Sequence, residues 1–217
     1  MIYKITEPIN STNSYVLYDE NNERALLIDA CDFLRIDDFM IQNRLSIDHV
    51  ILTHEHCDHI FGLEQLREKY HASVIASNSC SSGIQNCLAN MSKIYESYLF
   101  FSGRDNTVTI EPFVCKEAEI TFSERIQFEW NNHSIYVEET PGHSKGSSSI
   151  VLDGIYLFSG DSLSIDYKVI TKLPNGSEIK YKEKSLPFYQ GLPDSTIVFP
   201  GHGRNFLIGE IMRENYE

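Results

Sequence analysis

Residues 51–62 read ILTHEHCDHIFG: three histidines and two acidic side chains within six positions, directly after a run of β-branched and apolar residues. Imidazole nitrogens and carboxylate oxygens ligate transition metals and also move protons. A single histidine is unremarkable, but this spacing is not. His54 and His56 stand two apart just beyond a predicted strand, so extended backbone points both rings the same way. Asp58 and His59 fall where a helix is predicted to start and can turn back toward the same point. Four such groups converging without a cation would leave buried donors and charge unpaired, a conflict that a bound metal removes.

Four donors from one loop do not complete two sites, so further donors are expected at other strand ends. His143 lies in ETPGHSKGS, Asp161 in LFSGDS and His202 in VFPGHG. Each follows a β-favouring run and a small or turn-forming residue.

This set, His54-x-His56-x-Asp58-His59 with His143, Asp161 and His202, resembles the metallo-beta-lactamase superfamily and in particular its glyoxalase II-like hydrolases. The matching motifs run from residue 53 to 203, and the N-terminal strands ending at Asp29 fit as well. The resemblance implies an α/β fold, an αββα four-layer sandwich with metals at one edge of the two sheets. It implies that His54, His56 and His143 hold one ion and Asp58, His59 and His202 a second, with Asp161 bridging. The donors suit two Zn2+ per chain, with Fe or Mn as alternatives. The implied reaction is attack of a shared hydroxide on the carbonyl of a small ester, thioester, lactone or amide. Asp58 would orient that hydroxide and act as general base. Asp29 is either an acceptor for a ligand-histidine N–H or a structural turn aspartate. An Asp in place of Cys at 161 argues against a true lactamase. Only 15 residues follow His202, too few for the helical C-terminal domain with which glyoxalase II enzymes hold glutathione. Hydroxyacylglutathione hydrolysis is therefore not carried over from the resemblance. The competing readings are a mononuclear-iron persulfide dioxygenase, which shares the first-site ligands, and a nuclease of the same superfamily.

The elements that must position these residues are legible in outline. MIYKIT, SYVLYDE, RALLIDA, DHVILT and ASVIAS read as strands, with an amphipathic helix over DFLRIDDFMIQNRL and another from Asp58 through Ile60, Leu63, Leu66 and Tyr70. Apolar residues at helical steps predict a helix over 81–101. EITF, IQFEW, HSIYVEET, SSSIVL, IYLFSGD and STIVFPGHG return to β character, and the tail from about Arg204 reads as a helix. Asn175-Gly176 predicts a hairpin in KVITKLPNGSEIKYK. Residues 167–184 carry five lysines against two glutamates. They are read as blunting a sheet edge, the alternative being an anchor for a substrate anion.

We expect one domain over 1–217. The 83 residues between His59 and His143 leave room for a helical insertion at about 78–115. Its aromatics Tyr95, Tyr98, Phe100 and Phe101 are read as packing on the sandwich, the alternative being that they overhang the metals. Cys57 reads as a packing residue, and nothing in the sequence explains Lys145.

The net charge of −13 argues against holding nucleic acid by phosphate neutralisation and favours a small-molecule substrate. The five cysteines follow no C-x-x-C spacing, and neither a signal peptide nor a membrane-length apolar run is present. Free thiols in the cytoplasm are the expectation. The sequence is silent on oligomeric state.

Overall fold

The structure, a computed structural model, describes residues 1–19, 21–103 and 109–214, and of 212–214 the backbone only. Six strands form a first sheet in chain order: β1 Ile2–Thr6, β2 Asn13–Tyr18, β3 Arg24–Ile28, β4 Ser46–Ile51, β5 Ser73–Ser77 and β6 Ile120–Phe122. β1 to β3 pair antiparallel and β3 to β6 parallel. A second six-stranded sheet runs in reverse order from its far edge: β7 Arg125–Trp130, β8 His133–Glu139, β9 Ser148–Leu152, β10 Tyr156–Gly160, β11 Ile197–Pro200 and β12 Phe206–Leu207. Only β10 and β11 pair parallel there.

Alternation along the strands builds the layers. Tyr15, Leu17, Leu26 and Ile28 face the second sheet and meet Ile135, Val137, Ile150 and Phe158. Their neighbours Val16, Ala25 and Leu27 face outward, under α1 Phe33–Asn43 and α2 Leu63–Tyr70. Asp32 caps α1 by accepting from the Arg35 N–H, and Arg44 ends it in the left-handed region at φ 56°. Ile36 and Met40 are its buried residues.

Between β5 and β6 the expected 81–101 helix is two short ones, α3 Asn78–Ile84 and α4 Tyr95–Phe101. Asparagine chemistry breaks it. The Asn86 side chain accepts from the Leu88 and Ala89 N–H groups, and Asn90 accepts from Ser92 N–H. Met91 between them sits at φ 66°. These bonds satisfy the backbone in turns that compete with a helix. Tyr95 is buried as expected, but Phe100 and Phe101 are 60% and 85% exposed and do not pack on the sandwich. Residues 104–108 of the expected insertion lie outside the described residues.

The hairpin expected at Asn175-Gly176 is absent, and with it the lysine-studded sheet edge. The turn is there, with Gly176 N–H donating to Leu173 O, but the chain beyond it is helical. α5 Glu178–Lys180 passes through a π-helical turn at Tyr181–Ser185 into α6 Leu186–Gln190. Ser177 caps the start, and Tyr181 and Tyr189 are buried against Val151, Leu157 and Val198 on the outer face of the second sheet. Apolar burial on one face overrides the local hairpin signal. Two of the lysines pair with acids, Lys182 with Glu178 and Lys184 with Glu139. The tail gives α7 Ile208–Glu214 after β12, and residues 215–217 lie outside the described residues. Helices thus cover both outer faces, giving the four layers expected. Among the described residues no helix is long and apolar enough to cross a membrane.

Candidate metal centre

Thr53 follows β4 and fixes the start of the histidine loop. Its N–H and hydroxyl donate to the Asp29 carboxylate at 2.8 and 2.7 Å, and its carbonyl accepts from Ser148 N–H of the other sheet at 2.7 Å. Beyond it His54 and His56 turn inward, and a single 3₁₀ turn, Cys57–His59, brings Asp58 and His59 back toward them. His143 comes from the β8–β9 loop, Asp161 from the end of β10 and His202 from the loop after β11. Gly201 lets the His202 loop approach Asp161 and His59, because a Cβ there would strike Asp161 Oδ1 and His59 Cε1.

The structure brings all seven predicted residues together as three overlapping triads that could hold metal: His54, His56, His143; His54, His59, Asp161; and Asp58, His59, His202. His56 Nδ1 lies 3.1 Å from His54 Nε2 and 3.0 Å from His143 Nε2. Donors about 2.0–2.1 Å from a tetrahedral ion stand about 3.3 Å apart, so this spacing suits one cation among the three rings. Asp161 stands between the groups, with Oδ1 3.4 Å from His59 Nε2 and Oδ2 3.5 Å from His143 Nε2 and 3.3 Å from His202 Nε2.

Outer partners decide which nitrogen faces inward. His59 Nδ1 donates to Asp29 Oδ2 at 2.7 Å, His143 Nδ1 to Ile170 O at 2.9 Å and His202 Nδ1 to Asn10 O at 3.1 Å. His54 Nδ1 lies 3.0 Å from Thr53 Oγ1, whose own proton goes to Asp29, so that nitrogen is the donor. In all four rings Nε2 is thereby the nitrogen that faces inward. His59 Nε2 and Asp161 Oδ1 are buried with no hydrogen-bond partner. Orphaned donor atoms converging in this way fit a cation.

Burial, and then the neighbouring rings, hold His54 well below the ordinary imidazole range, and burial takes His56 down to about 3. Burial lowers His143 as well. His59 and His202 go the other way. Burial pulls both down, but Asp29 and Asp161 outweigh it at His59, and Asp161 and Asp58 lift His202 to about 9. The metal-free centre therefore neutralises its carboxylates with imidazolium, the place a cation would take.

Sequence reasoning missed four contributors. Asn10 Nδ2 and Thr12 Oγ1, in the β1–β2 loop, donate to Asp58 Oδ2 at 2.7 and 2.9 Å. Glu7 shapes that loop by accepting from the Ile9 and Asn10 N–H groups. Nothing local marks these residues, since Thr12 and Asn10 lie 46 and 48 positions from Asp58. The fourth is Glu55, buried between His54 and His56 but pointing away from them and accepting from Ser144 Oγ at 2.7 Å. Burial raises its carboxyl to about 7, partly offset by Ser144 and by exposed Lys145. Cys57 packs, as expected, with Tyr95 and Leu99.

The family model for the metallo-beta-lactamase superfamily matches residues 8–202. The chain belongs to that superfamily. Within it, a probable metallo-hydrolase of Streptococcus pyogenes serotype M6 is 28% identical, over 95% of this chain and 85% of that protein. A hydroxyacylglutathione hydrolase of Neisseria meningitidis serogroup A is 24% identical, over 92% of this chain and 66% of its own length. The crystal structure of BLEG-1 B3 metallo-beta-lactamase superposes with a TM-score of 0.82 at 27% identity, covering 100% of this chain and 98% of that one.

Proposed function

We propose that the protein is a metallo-hydrolase whose seven clustered side chains hold two Zn2+ ions and that it cleaves a small ester, thioester, lactone or amide. The observation that carries this reading is Asp161, standing within 3.5 Å of inward nitrogens belonging to both flanking triads. His54, His56 and His143 would hold one ion, Asp58, His59 and His202 the other, and Asp161 both. When bound, such cations acidify water to near-neutral pKa and draw charge from a carbonyl oxygen. The chain's own residues do the positioning. Asn10 and Thr12 fix the Asp58 carboxylate and, with His59 and His202, keep it ionised against burial. Asp58 then orients the nucleophilic water and passes its proton to the departing atom. Asp29 holds His59, and the Ile170 carbonyl holds His143, in the ligating tautomer. We assign a small-molecule substrate from the −13 net charge, and a cytoplasmic setting from the five free cysteines.

The test is purification without chelator, metal counting, and a screen of ester, thioester, lactone and phosphodiester substrates. Two zinc ions per chain are expected, with His54→Ala and His202→Ala each losing metal and activity together. One iron per chain with oxygen consumption, or full activity in both variants, overturns the reading.

A further inference from the structure

β1 and β2 lie at one edge of the first sheet and β11 and β12 at one edge of the second, and the two edges join beside the donor cluster. Thr12 forms an isolated β-bridge with His202, and Asn13 N–H donates to Gly201 O at 2.7 Å. The buried Asn13 side chain then spans the loop, its Nδ2 donating to Pro200 O at 3.0 Å and to Gly203 O at 3.2 Å. Those two carbonyls flank Gly201 and His202. Tyr15, two residues on and so on the same face of β2, donates its hydroxyl to Pro200 O at 2.6 Å, and Lys4 Nζ reaches Gly203 O at 3.3 Å. Chemistry fixes the Asn13 amide in one orientation. Thr6 Oγ1 donates to its Oδ1 at 2.8 Å, which leaves the NH2 group for the two carbonyls, and only a donor can face them. An aspartate of the same shape would set a carboxylate against two carbonyl oxygens.

The contacts of this hairpin fall on one side of the cluster. Asn10 O takes the His202 Nδ1 proton, and Asn10 Nδ2 and Thr12 Oγ1 hold Asp58. Two of the three donors in the Asp58, His59, His202 triad therefore lean on residues 10–15. The His54 and His143 rings are held from other parts of the chain, by Thr53 and by the Ile170 carbonyl. We propose that Asn13 is a positioning residue for the ion on the His202 triad: by seating the His202 loop, the β1–β2 hairpin sets the affinity for that ion without altering that for the ion on the His143 triad. This rests on the two-ion hydrolase reading. Asn13 bonds to the residues on either side of His202 and acts only through the loop that carries it, so its effect belongs to one ion.

The test is zinc titration calorimetry on metal-free protein, with Asn13→Ala introduced into two backgrounds. His143→Ala keeps the His202 triad, and His202→Ala keeps the His54, His56, His143 triad. In the first background Asn13→Ala should raise the zinc dissociation constant about tenfold or more, and in the second it should change it less than about twofold. Asn13→Ala leaves each carbonyl a donor, Tyr15 on Pro200 and Lys4 on Gly203. Should it nevertheless fail to fold, Tyr15→Phe carries the same comparison, since it removes one hydroxyl and keeps the ring among Phe158 and Phe199. It should weaken zinc about threefold or more in the first background alone. Equal weakening in both backgrounds marks a general structural role and overturns the proposal, and no weakening in either overturns it too. Failure of the wild-type protein to bind two ions removes the two-ion reading itself.

Discussion

Asp29 shows how much a single carboxylate organises. It takes the His59 Nδ1 proton and both Thr53 donors, so it sets the tautomer of one proposed ligand and the entry of the whole loop. Asp29→Asn would leave a hydrogen-bonding side chain of the same shape but weaken the hold on His59. Metal titration should show affinity at one of two sites reduced about 10–100-fold, with the other site spared. Glu55 supplies the pH signature. Its folded-state pKa is raised, chiefly by burial, to about 7, against 4.5 in the unfolded chain. Between those values the folded protein holds a proton that the unfolded chain has lost, so stability falls as pH rises through that window and levels off above it. Comparing wild type with Glu55→Gln in urea at a series of pH values should show that component of the slope in wild type alone.

Elements were legible in the sequence where one physical signal dominated. Strands such as β2 and β3 are short β-favouring runs buried on both faces, and α1 carries both a cap and an apolar stripe, so their existence could be read directly. The clustering of the four donor side chains on the 54–59 loop with His143 and His202, each preceded by glycine, was equally readable, because chemistry-bearing residues at strand ends stand out. Two stretches misled. Asn175-Gly176 does make a turn, but tertiary burial of Tyr181 and Tyr189 makes its flank helical. Asn86 and Asn90 interrupt a stretch whose apolar spacing alone reads as one helix. Side-chain contacts across the fold, such as Thr12 on Asp58, leave no local trace. The seat of α3 behind the histidine loop is equally exacting. A Cβ at Gly83 would stand 2.6 and 2.7 Å from Glu55 Cγ and Cβ, so Gly83→Ala must push α3 off the back of that loop. Overpacking of this kind costs about 1–3 kcal/mol. Chemical denaturation should show that loss, together with lower metal content, although residue 83 touches no proposed ligand.

Across the whole molecule, the proposed ligands belong to both sheets: His54 to His59 follow β4 of the first, and Asp161 and His202 follow β10 and β11 of the second. A cation bound there bridges the two layers as well as serving the chemistry, and it binds only the folded form. Zinc at 100 times its dissociation constant should stabilise the fold by about 2.7 kcal/mol, seen as a chelator-reversible rise in Tm. Binding should also release protons from His59 and His202, whose carboxylate neighbours keep them charged without metal, so the calorimetric heat should vary with buffer ionisation enthalpy. The order of the triads along the chain carries a further consequence. Each contains a residue at position 143 or beyond, and the third closes only with His202. A nascent polypeptide emerging from the ribosome therefore exposes HEHCDH long before it owns a complete cage. Closure of the third triad must then wait for the strands of the second sheet, so ion capture there cannot serve as the nucleus of the first.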